Sequence, residues 1–256
     1  MVRISIVTIT YNAGTVLQRT LDSVLQQTYP CVEHLIVDGA STDDTVRLAE
    51  TYREQAAAMH PEWSIDVKSE PDGGLYDAMN KGLSRATGDY IVFMNAGDTL
   101  AAPDTLETVE RCAEVNPRPA VIYGDTDVTD GDGRVLCKRR LRPPETLTWR
   151  SFRKGMLVCH QAFYARTDIA KTFPYDLRYR HSADVKWCIQ IMKAAEEKGL
   201  SLVNTHATLC NYMREGDSTK NHRASLCERF NVMKEAYGLP TTIAMHAWFV
   251  VRAVIK

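Results

Sequence analysis

The sequence predicts an α/β fold in which a mostly parallel sheet carries helices on both faces. Two observations indicate this class. Short apolar segments alternate with longer amphipathic segments over the first half of the chain, and polar residues directly follow several of the apolar segments. The clearest apolar segment, residues 91–94, has no polar interruption, which is typical of a strand buried on both faces of a parallel sheet.

The first half gives a regular alternation in chain order. Strands are predicted at 3–10, 34–38, 63–69 and 90–95, with helices at about 15–27, 42–58 and 75–87. Thr42 or Asp43 is suited to cap the second helix, because either side chain can accept a hydrogen bond from its free N–H groups.

The pattern changes after about residue 118. Strands are predicted at 120–123 and 135–137, joined by a tight turn at 130–133, followed by a short strand around 161–165 and helices near 183–197 and 222–237. We expect one compact unit with a regular half, a less regular smaller half and C-terminal helices.

Composition narrows the class of protein. The 256 residues are 45% hydrophobic and 25% charged, with a formal net charge of −1, which is typical of a soluble globular chain and gives no electrostatic case for nucleic acid as the main partner. The seven cysteines and seven histidines show no metal-ligand spacing, which favours reduced thiols in a cytoplasmic protein. We expect no signal peptide and no membrane-spanning segment.

Polar residues follow each of the four predicted parallel strands. They are Thr10, Tyr11 and Asn12, then Asp38, then Asp72, and finally Asn95 and Asp98. Because the carboxyl ends of parallel strands meet at one edge of the sheet, these residues predict a ligand cleft there. Any single one of them has the alternative role of a turn or cap residue. The chain contains neither a P-loop nor a dinucleotide-binding glycine motif.

The residue types suggest individual roles. Asp98 is the predicted metal ligand, since a divalent cation that carries a diphosphate needs one or two carboxylates besides phosphate and water oxygens. Asp38 is suited to accept a hydrogen bond from a nucleotide base, and Asp72, before two glycines, to bring a carboxylate and backbone to the nucleotide. Lys81 and the basic stretch 138–142 either contact phosphate or are solvated.

Four segments together resemble the family 2 glycosyltransferases of the GT-A fold, in particular the bacterial branch that builds exopolysaccharides, such as colanic-acid-type transferases. The segments are residues 7–12, 37–43, 70–82 and 86–98. The resemblance implies a nucleotide-diphosphate sugar donor, a divalent cation (Mn²⁺ or Mg²⁺) and inversion at the anomeric carbon. It also implies a set of nucleotide-sugar-binding residues, namely Thr10, Tyr11, Asn12, Asp38, Asp72, Lys81, Asn95 and Arg214.

Two of these features need qualification. Arg214 belongs to residues 212–218, which resemble a loop that closes over the donor, and its alternative is a solvated arginine. Many family members carry an Asp-x-Asp-Asp cluster after the fourth strand, but residues 95–98 here read Asn-Ala-Gly-Asp. Gly97 replaces an aspartate that usually contacts ribose or metal, so we expect weak metal affinity with the donor diphosphate supplying most ligands.

The second half extends the resemblance. Residues 159–164 resemble the family's His-Gln element, which implies that His160 and Gln161 contact the acceptor; a satisfied core histidine is the alternative for His160. Asp184 matches the position of the catalytic carboxylate, which implies a base that removes the proton of the acceptor hydroxyl. Its alternative is a cap at the start of a helix.

The expected function is an inverting, metal-dependent glycosyltransferase that acts on a glycan, a lipid-linked oligosaccharide of bacterial surface polysaccharide synthesis. Residues 1–118 would bind the nucleotide sugar, 119–220 would bind the acceptor and hold the base, and 221–256 would form C-terminal helices. The apolar segment 243–256 either lies at the inner membrane face or docks on the protein's own core.

Two alternatives stay open at this point. A sugar nucleotidylyltransferase also places a nucleotide on an α/β sheet, but the glycine-rich phosphate loop expected after the first strand is lacking. A catalytically silent sugar-nucleotide-binding protein is motivated by Gly97. The sequence does not specify the oligomeric state.

Overall fold

The computed structural model describes residues 1–115, 117–214 and 222–254. The first half alternates strands and helices as the sequence predicts. Its elements are β1 (Ile4–Thr10), α1 (Leu17–Leu25), β2 (Val32–Asp38), α2 (Thr45–Met59), β3 (Ser64–Ser69), α3 (Leu75–Arg85), β4 (Tyr90–Asn95), β5 (Thr99–Leu100) and α4 (Thr105–Ala113). The predicted strands and helices of this half are confirmed, whereas β5 and α4 were not expected.

The second half contains more strand than the sequence indicates. Its elements are β6 (Val121–Thr129), β7 (Val135–Lys138), two 3-10 helices (Trp149–Lys154 and His160–Ala162), β8 (Phe163–Arg166), α5 (Thr167–Ala170), α6 (Ala183–Glu197), β9 (Leu202–Met213), α7 (His222–Tyr237) and α8 (Leu239–Val254). The long strand β9 was not predicted, and β6 runs six residues beyond the expected end at 123.

All the strands of the described residues form one sheet in the order β3-β2-β1-β4-β8-β6-β9-β5, with β7 paired to β6. The strands β1 to β4 are parallel to one another, and β8 joins β4 and β6 in the antiparallel sense. Register aligns the strand ends: Thr10 lies opposite Asp38, Asp38 opposite Ser69, and Ile9 opposite Asn95. The polar residues after these strands therefore share one edge.

The central strand β4 is covered on both faces, since residues 90–94 are all buried. On one face an aromatic cluster joins the sheet to α3 and α6. Its members are Tyr76, Phe93, Tyr175 and Trp187, with ring centroids 5.0–5.5 Å apart in the stacked and edge pairs.

A glutamine connects two helices elsewhere in the fold. Gln27, just after α1, donates to the Ala102 carbonyl and accepts from the Leu106 N–H, which ties α1 to α4.

The helix α2 begins after Asp44, whose side chain makes no capping hydrogen bond, and the predicted cap residue Asp43 contacts the helix start from one position earlier. Asp43 accepts hydrogen bonds from the Thr45 N–H and the Gly14 N–H, both at 3.0 Å. The Thr45 hydroxyl also donates to Asp43, and this bond, followed by that of the Gly14 N–H, holds the pKa of Asp43 below the ordinary value. The same carboxylate thus connects the helix to the loop after β1.

The cysteines are all free thiols, as expected. Among the described residues no helix combines the length and the apolar character needed to cross a bilayer. The last helix, α8, packs beside α7 through His246, whose ring lies 5.0 Å from that of Phe230. Residues 255–256, which end the predicted apolar segment, lie outside the described residues.

Candidate active site

A cleft of about 910 Å³ opens between the polar strand ends and the second half of the chain. Its first-half lining includes Thr10, Tyr11, Asn12, Gly39, Asp72, Tyr76, Asn95 and Asp98, and its second-half lining includes Arg139, His160, Gln161, Asp184, Met213 and Arg229. Most of the predicted site residues are therefore brought together in one cavity. Asp38 and Lys81 do not line it, and neither does Arg214.

A buried aspartate–histidine pair spans the middle of the cleft. Asp184 is the second residue of α6, and its Oδ2 lies 3.2 Å from His160 Nδ1. Its Oδ1 accepts from the Tyr76 hydroxyl at 3.1 Å and from the Val185 N–H at 2.9 Å. The His160 Nε2 lies 3.4 Å from Asn95 Nδ2. Asp184 thus accepts a hydrogen bond from the backbone of the first turn of α6, and it also lines the cleft.

The environment keeps Asp184 ionised. Burial alone would raise its pKa, but the hydrogen bond and the charge of His160, with the Val185 N–H and the Tyr76 hydroxyl, lower the pKa below its ordinary value. A proton on His160 Nδ1 is donated to Asp184 Oδ2. Asp184 is therefore an ionised carboxylate in the cleft, where it can accept a proton, although its lowered pKa makes it a weaker base than an ordinary aspartate.

Asp98 is buried at the point where three segments meet. Its Oδ1 accepts from the Met213 N–H at 2.9 Å, and its Oδ2 accepts from Gln161 Nε2 at 2.7 Å. Burial raises its pKa to about 6, against the lowering effect of these two hydrogen bonds. Asp98 thus joins the exit of β4 to the end of β9 and to the 3-10 helix that carries His160.

Gly97 is required beside this junction. Its φ is +100°, and a Cβ added there would lie 2.7 Å from Met213 Cε. Its N–H donates to Thr20 Oγ1 at 2.8 Å, which ties the turn to α1. An aspartate at this position would be strained chiefly because φ is positive, and its side chain would also displace the flexible end of Met213 in β9.

The cation that the resemblance implies can be tested against these donors. Among the described residues no group of three or more His, Cys, Asp or Glu side chains could hold a metal ion by itself. Asp98 still has a second lone pair on each oxygen, and Asn95 Oδ1 is buried without a partner in the part of the chain that the structure describes. One carboxylate fits only a cation that takes most of its ligands from a bound diphosphate and water.

Asp38 is buried beneath the cleft wall and does not line the cleft itself. Its carboxylate accepts from the Ser41 N–H at 2.9 Å, from Ser41 Oγ at 2.5 Å and from Ser69 Oγ at 2.6 Å. Ser41 Oγ in turn accepts from the Asn12 N–H at 2.7 Å. The side chain is buried, while its neighbour Gly39 forms the cleft wall.

Asp72 faces the cleft from the loop after β3. Its Oδ1 accepts from the Gly74 N–H at 2.8 Å. A Cβ added to Gly39 would lie 2.7 Å from Asp72 Oδ2 and 3.2 Å from Tyr11 Cδ2, so the three residues form one continuous wall. Tyr11 is 66% exposed, which leaves its ring open to a planar ligand.

Lys81 braces the same loop from outside. Its Nζ donates to the Pro71 carbonyl at 2.7 Å and lies 3.3 Å from Glu70 Oε1. Arg214 follows β9, and its N–H donates to the Thr129 carbonyl at 3.0 Å. Residues 215–218 of the predicted donor-covering loop lie outside the described residues.

The sequence did not single out several cleft residues as functional. Tyr76 lies within a segment that carried the family resemblance, and Arg139 lies in the basic stretch, so each had a signal in the sequence. Arg229 and Ser225 come from α7, where no motif marks them. Only the packing of α7 against the cleft identifies these two.

Comparisons with known proteins identify the family of this chain. The family model described as glycosyl transferase family 2 matches residues 5–173. An uncharacterized glycosyltransferase of Mycobacterium tuberculosis is 32% identical over 217 residues, which cover 83% of this chain and 76% of the relative. The putative teichuronic acid biosynthesis glycosyltransferase TuaG of Bacillus subtilis is 26% identical over 221 residues, 86% of this chain and 82% of TuaG.

Solved structures share the fold. S. aureus TarS 1-349 in complex with UDP-GlcNAc matches with a TM-score of 0.71 at 18% identity over 91% of this chain, which spans 65% of that longer chain. A Pyrobaculum calidifontis mannosyltransferase in complex with GDP-Man and Mn²⁺ gives a TM-score of 0.60 at 19% identity, covering 98% of this chain and 75% of that one. By its family-model match, its sequence relatives and its GT-A architecture, this chain belongs to glycosyl transferase family 2.

Proposed function

We propose that this chain transfers a sugar from a nucleotide-diphosphate sugar to a glycan hydroxyl, with inversion at the anomeric carbon. The observation that carries the proposal is the contact of Asp184 with His160, which sets an ionised carboxylate in the cleft opposite the strand ends. The placement matches a direct displacement, in which the base and the departing group lie on opposite sides of the sugar.

The transfer would take place as one displacement at the anomeric carbon. The acceptor hydroxyl oxygen forms a bond to the anomeric carbon while its proton passes to the Asp184 carboxylate. The bond between the anomeric carbon and the diphosphate oxygen breaks, and the nucleoside diphosphate leaves with the electron pair. His160 holds Asp184 in position through Nδ1, and Tyr76 holds its other oxygen.

The donor would lie along the strand ends. Thr10, Tyr11, Asn12, Asp72 and Asn95 line that side of the cleft and would contact the nucleotide sugar. We propose that Asp38 contacts the base or, through Ser41, positions Asn12 for it. Lys81 holds the loop of Asp72, and Arg214 would approach the diphosphate when the donor is bound.

Asp98 would hold the divalent cation with the donor diphosphate. A bound Mn²⁺ or Mg²⁺ would stabilise the charge that develops on the departing diphosphate. The mannosyltransferase complex with GDP-Man and Mn²⁺, which shares the fold, supports this choice of cation. Gln161, which donates to Asp98, would keep the carboxylate aimed at the cleft and, with His160, would border the acceptor.

The acceptor is proposed to be a lipid-linked glycan at the inner face of a membrane. Support comes from a relative named for teichuronic acid biosynthesis and from exposed apolar residues on α8, with Trp248 at 52% and Val250 at 66% exposure. Such a helix can lie in the headgroup region of a bilayer. The peripheral contact would keep the cleft near its substrate.

The test begins with a panel of UDP and GDP sugars, scored by thermal stabilisation with and without Mn²⁺, since a ligand that binds the folded state raises the melting temperature. The stabilising sugar then serves in a hydrolysis assay, in which water replaces the unknown acceptor. The variant Asp184→Asn should lose about a hundredfold or more of hydrolysis while keeping nucleotide affinity.

The matched control is Asp168→Asn, whose carboxylate pairs with Arg166 on the surface away from the cleft. It should retain full hydrolysis. Equal turnover of Asp184→Asn and the parent would remove Asp184 from the mechanism. Binding of the sugar with no hydrolysis and no transfer by the parent protein would favour the silent binding protein instead.

A further inference from the structure

Arg139, Arg180 and Arg229 line the cleft, and among the residues that the structure describes Arg139 and Arg229 have no carboxylate within ion-pair distance. Arg139 directly follows β7, where its N–H donates to the Thr126 carbonyl at 3.0 Å and its Nη1 donates to the Leu141 carbonyl at 2.8 Å. Arg229 projects from α7. Neither forms an ion pair with any residue that the structure describes.

Arg229 is the less satisfied of the two. Its Nε is buried and has no hydrogen-bond partner among residues 1–115, 117–214 and 222–254. Burial lowers its pKa, the charge of Asp184 opposes that change, and the charge of Arg139 adds to it. All three residues line the cleft. An arginine nevertheless stays protonated at neutral pH.

Two carboxylates near these arginines have other partners. Glu228 precedes Arg229 in α7, but its oxygens accept from the Arg180 N–H at 2.9 Å and the His181 N–H at 2.7 Å. The nearby Arg142 has its own partner in Asp125. A partly buried guanidinium without an ion pair at contact distance is costly, so the pattern favours an anionic ligand over a purely structural role.

The location of Arg139 and Arg229 in the cleft indicates whether the bound anion is part of the sugar donor or part of the acceptor. The donor would occupy the carboxyl ends of β1 to β4, whereas Arg139 and Arg229 come from the second half and lie beside Asp184. The group next to a base in an inverting displacement is the acceptor, since the departing diphosphate lies on the opposite side of the sugar. Two positive charges match a phosphate dianion better than a single carboxylate.

We propose that Arg139 and Arg229 bind a phosphate group of the acceptor next to the hydroxyl that Asp184 deprotonates. The inference rests on the proposed transferase function and specifies its acceptor as a phosphate-bearing molecule. The guanidinium groups supply fork-shaped donors that fit phosphate oxygens, and the partly enclosed cleft strengthens the attraction.

The test uses inorganic phosphate as the probe. The protein is first saturated with UDP or GDP, whichever nucleotide stabilises it, and phosphate is then titrated by calorimetry at low ionic strength. The parent should bind phosphate with an affinity that the nucleotide leaves unchanged. Arg139→Gln and Arg229→Gln should each weaken phosphate binding about tenfold or more while nucleotide affinity is retained.

A control variant and two contrary results complete the test. Arg142→Gln removes an arginine of the same loop whose partner is Asp125, and it should bind phosphate within about twofold of the parent. Competition between phosphate and nucleotide would assign the arginines to the donor and overturn the proposal, as would the absence of phosphate binding by the parent. If Arg229→Gln fails to fold, Arg139→Gln and Arg229→Lys decide the question.

A failure of the proposed function has a different readout. If no nucleotide binds the protein, the donor assignment fails, while phosphate titration of the nucleotide-free protein and its arginine variants still reports on the pair.

Discussion

At the residue scale, the acidic side chains at the strand ends serve different purposes. Asp72 and Asp98 line the cleft, whereas Asp38 is bonded to Ser41 and Ser69 behind its wall. The sequence predicts all three as cleft residues because each follows an apolar strand. What separates them is the presence of neighbouring hydroxyl groups, one of them from the adjacent strand, which only the folded register brings into contact.

Asp98 combines a structural role with its proposed metal role, and substitution can separate the two. Asp98→Ala leaves the Met213 N–H and the Gln161 amide without their acceptor, so it should lower the free energy of unfolding by about 2–4 kcal/mol. Asp98→Asn can keep both contacts, since its Oδ1 accepts from Met213 and a rotated Gln161 amide accepts from its Nδ2. Its stability should stay within about 1 kcal/mol of the parent.

Urea unfolding of the parent and both variants measures these changes, and calorimetry with nucleotide and Mn²⁺ measures the cation. Asp98→Asn should fold normally yet bind the nucleotide with little dependence on Mn²⁺. Unchanged cation dependence in that variant would contradict the metal role, and equal stability losses in the two variants would contradict the structural one.

At the element scale, the sequence pattern predicts most strands and helices of the first half of the chain, but it does not predict the long strands of the second half. The segment of β9 mixes polar and apolar residues without a clean alternation or an apolar run, so nothing local marks it as a strand. It forms because β6, some 80 residues earlier in the chain, offers a parallel partner along most of its length. The same pairing extends β6 through a polar stretch that would not be predicted to form a strand.

One missed helix did carry a signal. Leu106, Val109 and Ala113 are buried on one face of α4 at helical spacing, and Asp104 precedes the helix. The short length of α4 and its charged outer face made the pattern easy to overlook. The sequence of α4 therefore contains enough information to predict a helix, whereas β9 depends on its pairing with β6, which no local pattern reveals.

The contact of α3 with the sheet gives a prediction at this scale. A Cβ added to Gly82 would lie 2.3 Å from Val7 Cγ1 of β1, so Gly82→Ala must push α3 away from the sheet. Overpacking of this kind costs about 1–3 kcal/mol, and the gain of roughly 1 kcal/mol from better helix propensity offsets only part of it. Because α3 carries Tyr76, nucleotide-sugar hydrolysis should fall as well.

The matched control is Gly131→Ala, where an added Cβ meets nothing within 4 Å. Thermal melts of both variants provide the comparison. A Gly82→Ala protein at least as stable as the parent would contradict the close packing of α3 on β1.

At the scale of the whole molecule, the site is a junction of two halves that the sequence describes separately. The strand-end residues were predictable as a group because parallel strands share an edge. The contact between His160 and Asp184 joins residues 24 positions apart on different elements, and Arg229 reaches the same cleft from α7. Family motifs indicated His160 and Asp184, but their contact depends on how α6 and α7 pack.

The exposed face of α8 leads to a prediction about the whole protein on a membrane. Trp248 and Val251, which are three residues apart and so lie on one side of the helix, are 52% and 44% exposed, while His246 contacts Phe230 of α7 and Phe249 of α8 itself. The protein should therefore sediment with vesicles of phosphatidylethanolamine and phosphatidylglycerol, since an amphipathic helix gains free energy by burying its apolar face at the interface.

The double variant Trp248→Ser with Val251→Ser should reduce the vesicle-bound fraction several-fold and leave nucleotide-sugar hydrolysis in solution unchanged, because neither residue lines the cleft. Val135→Ser provides the control, since Val135 is 58% exposed on β7 at a distance from α8 in the sequence. If all three proteins bind vesicles equally, or if the parent does not bind at all, α8 does not anchor the enzyme. The acceptor would then have to reach the cleft without help from this helix.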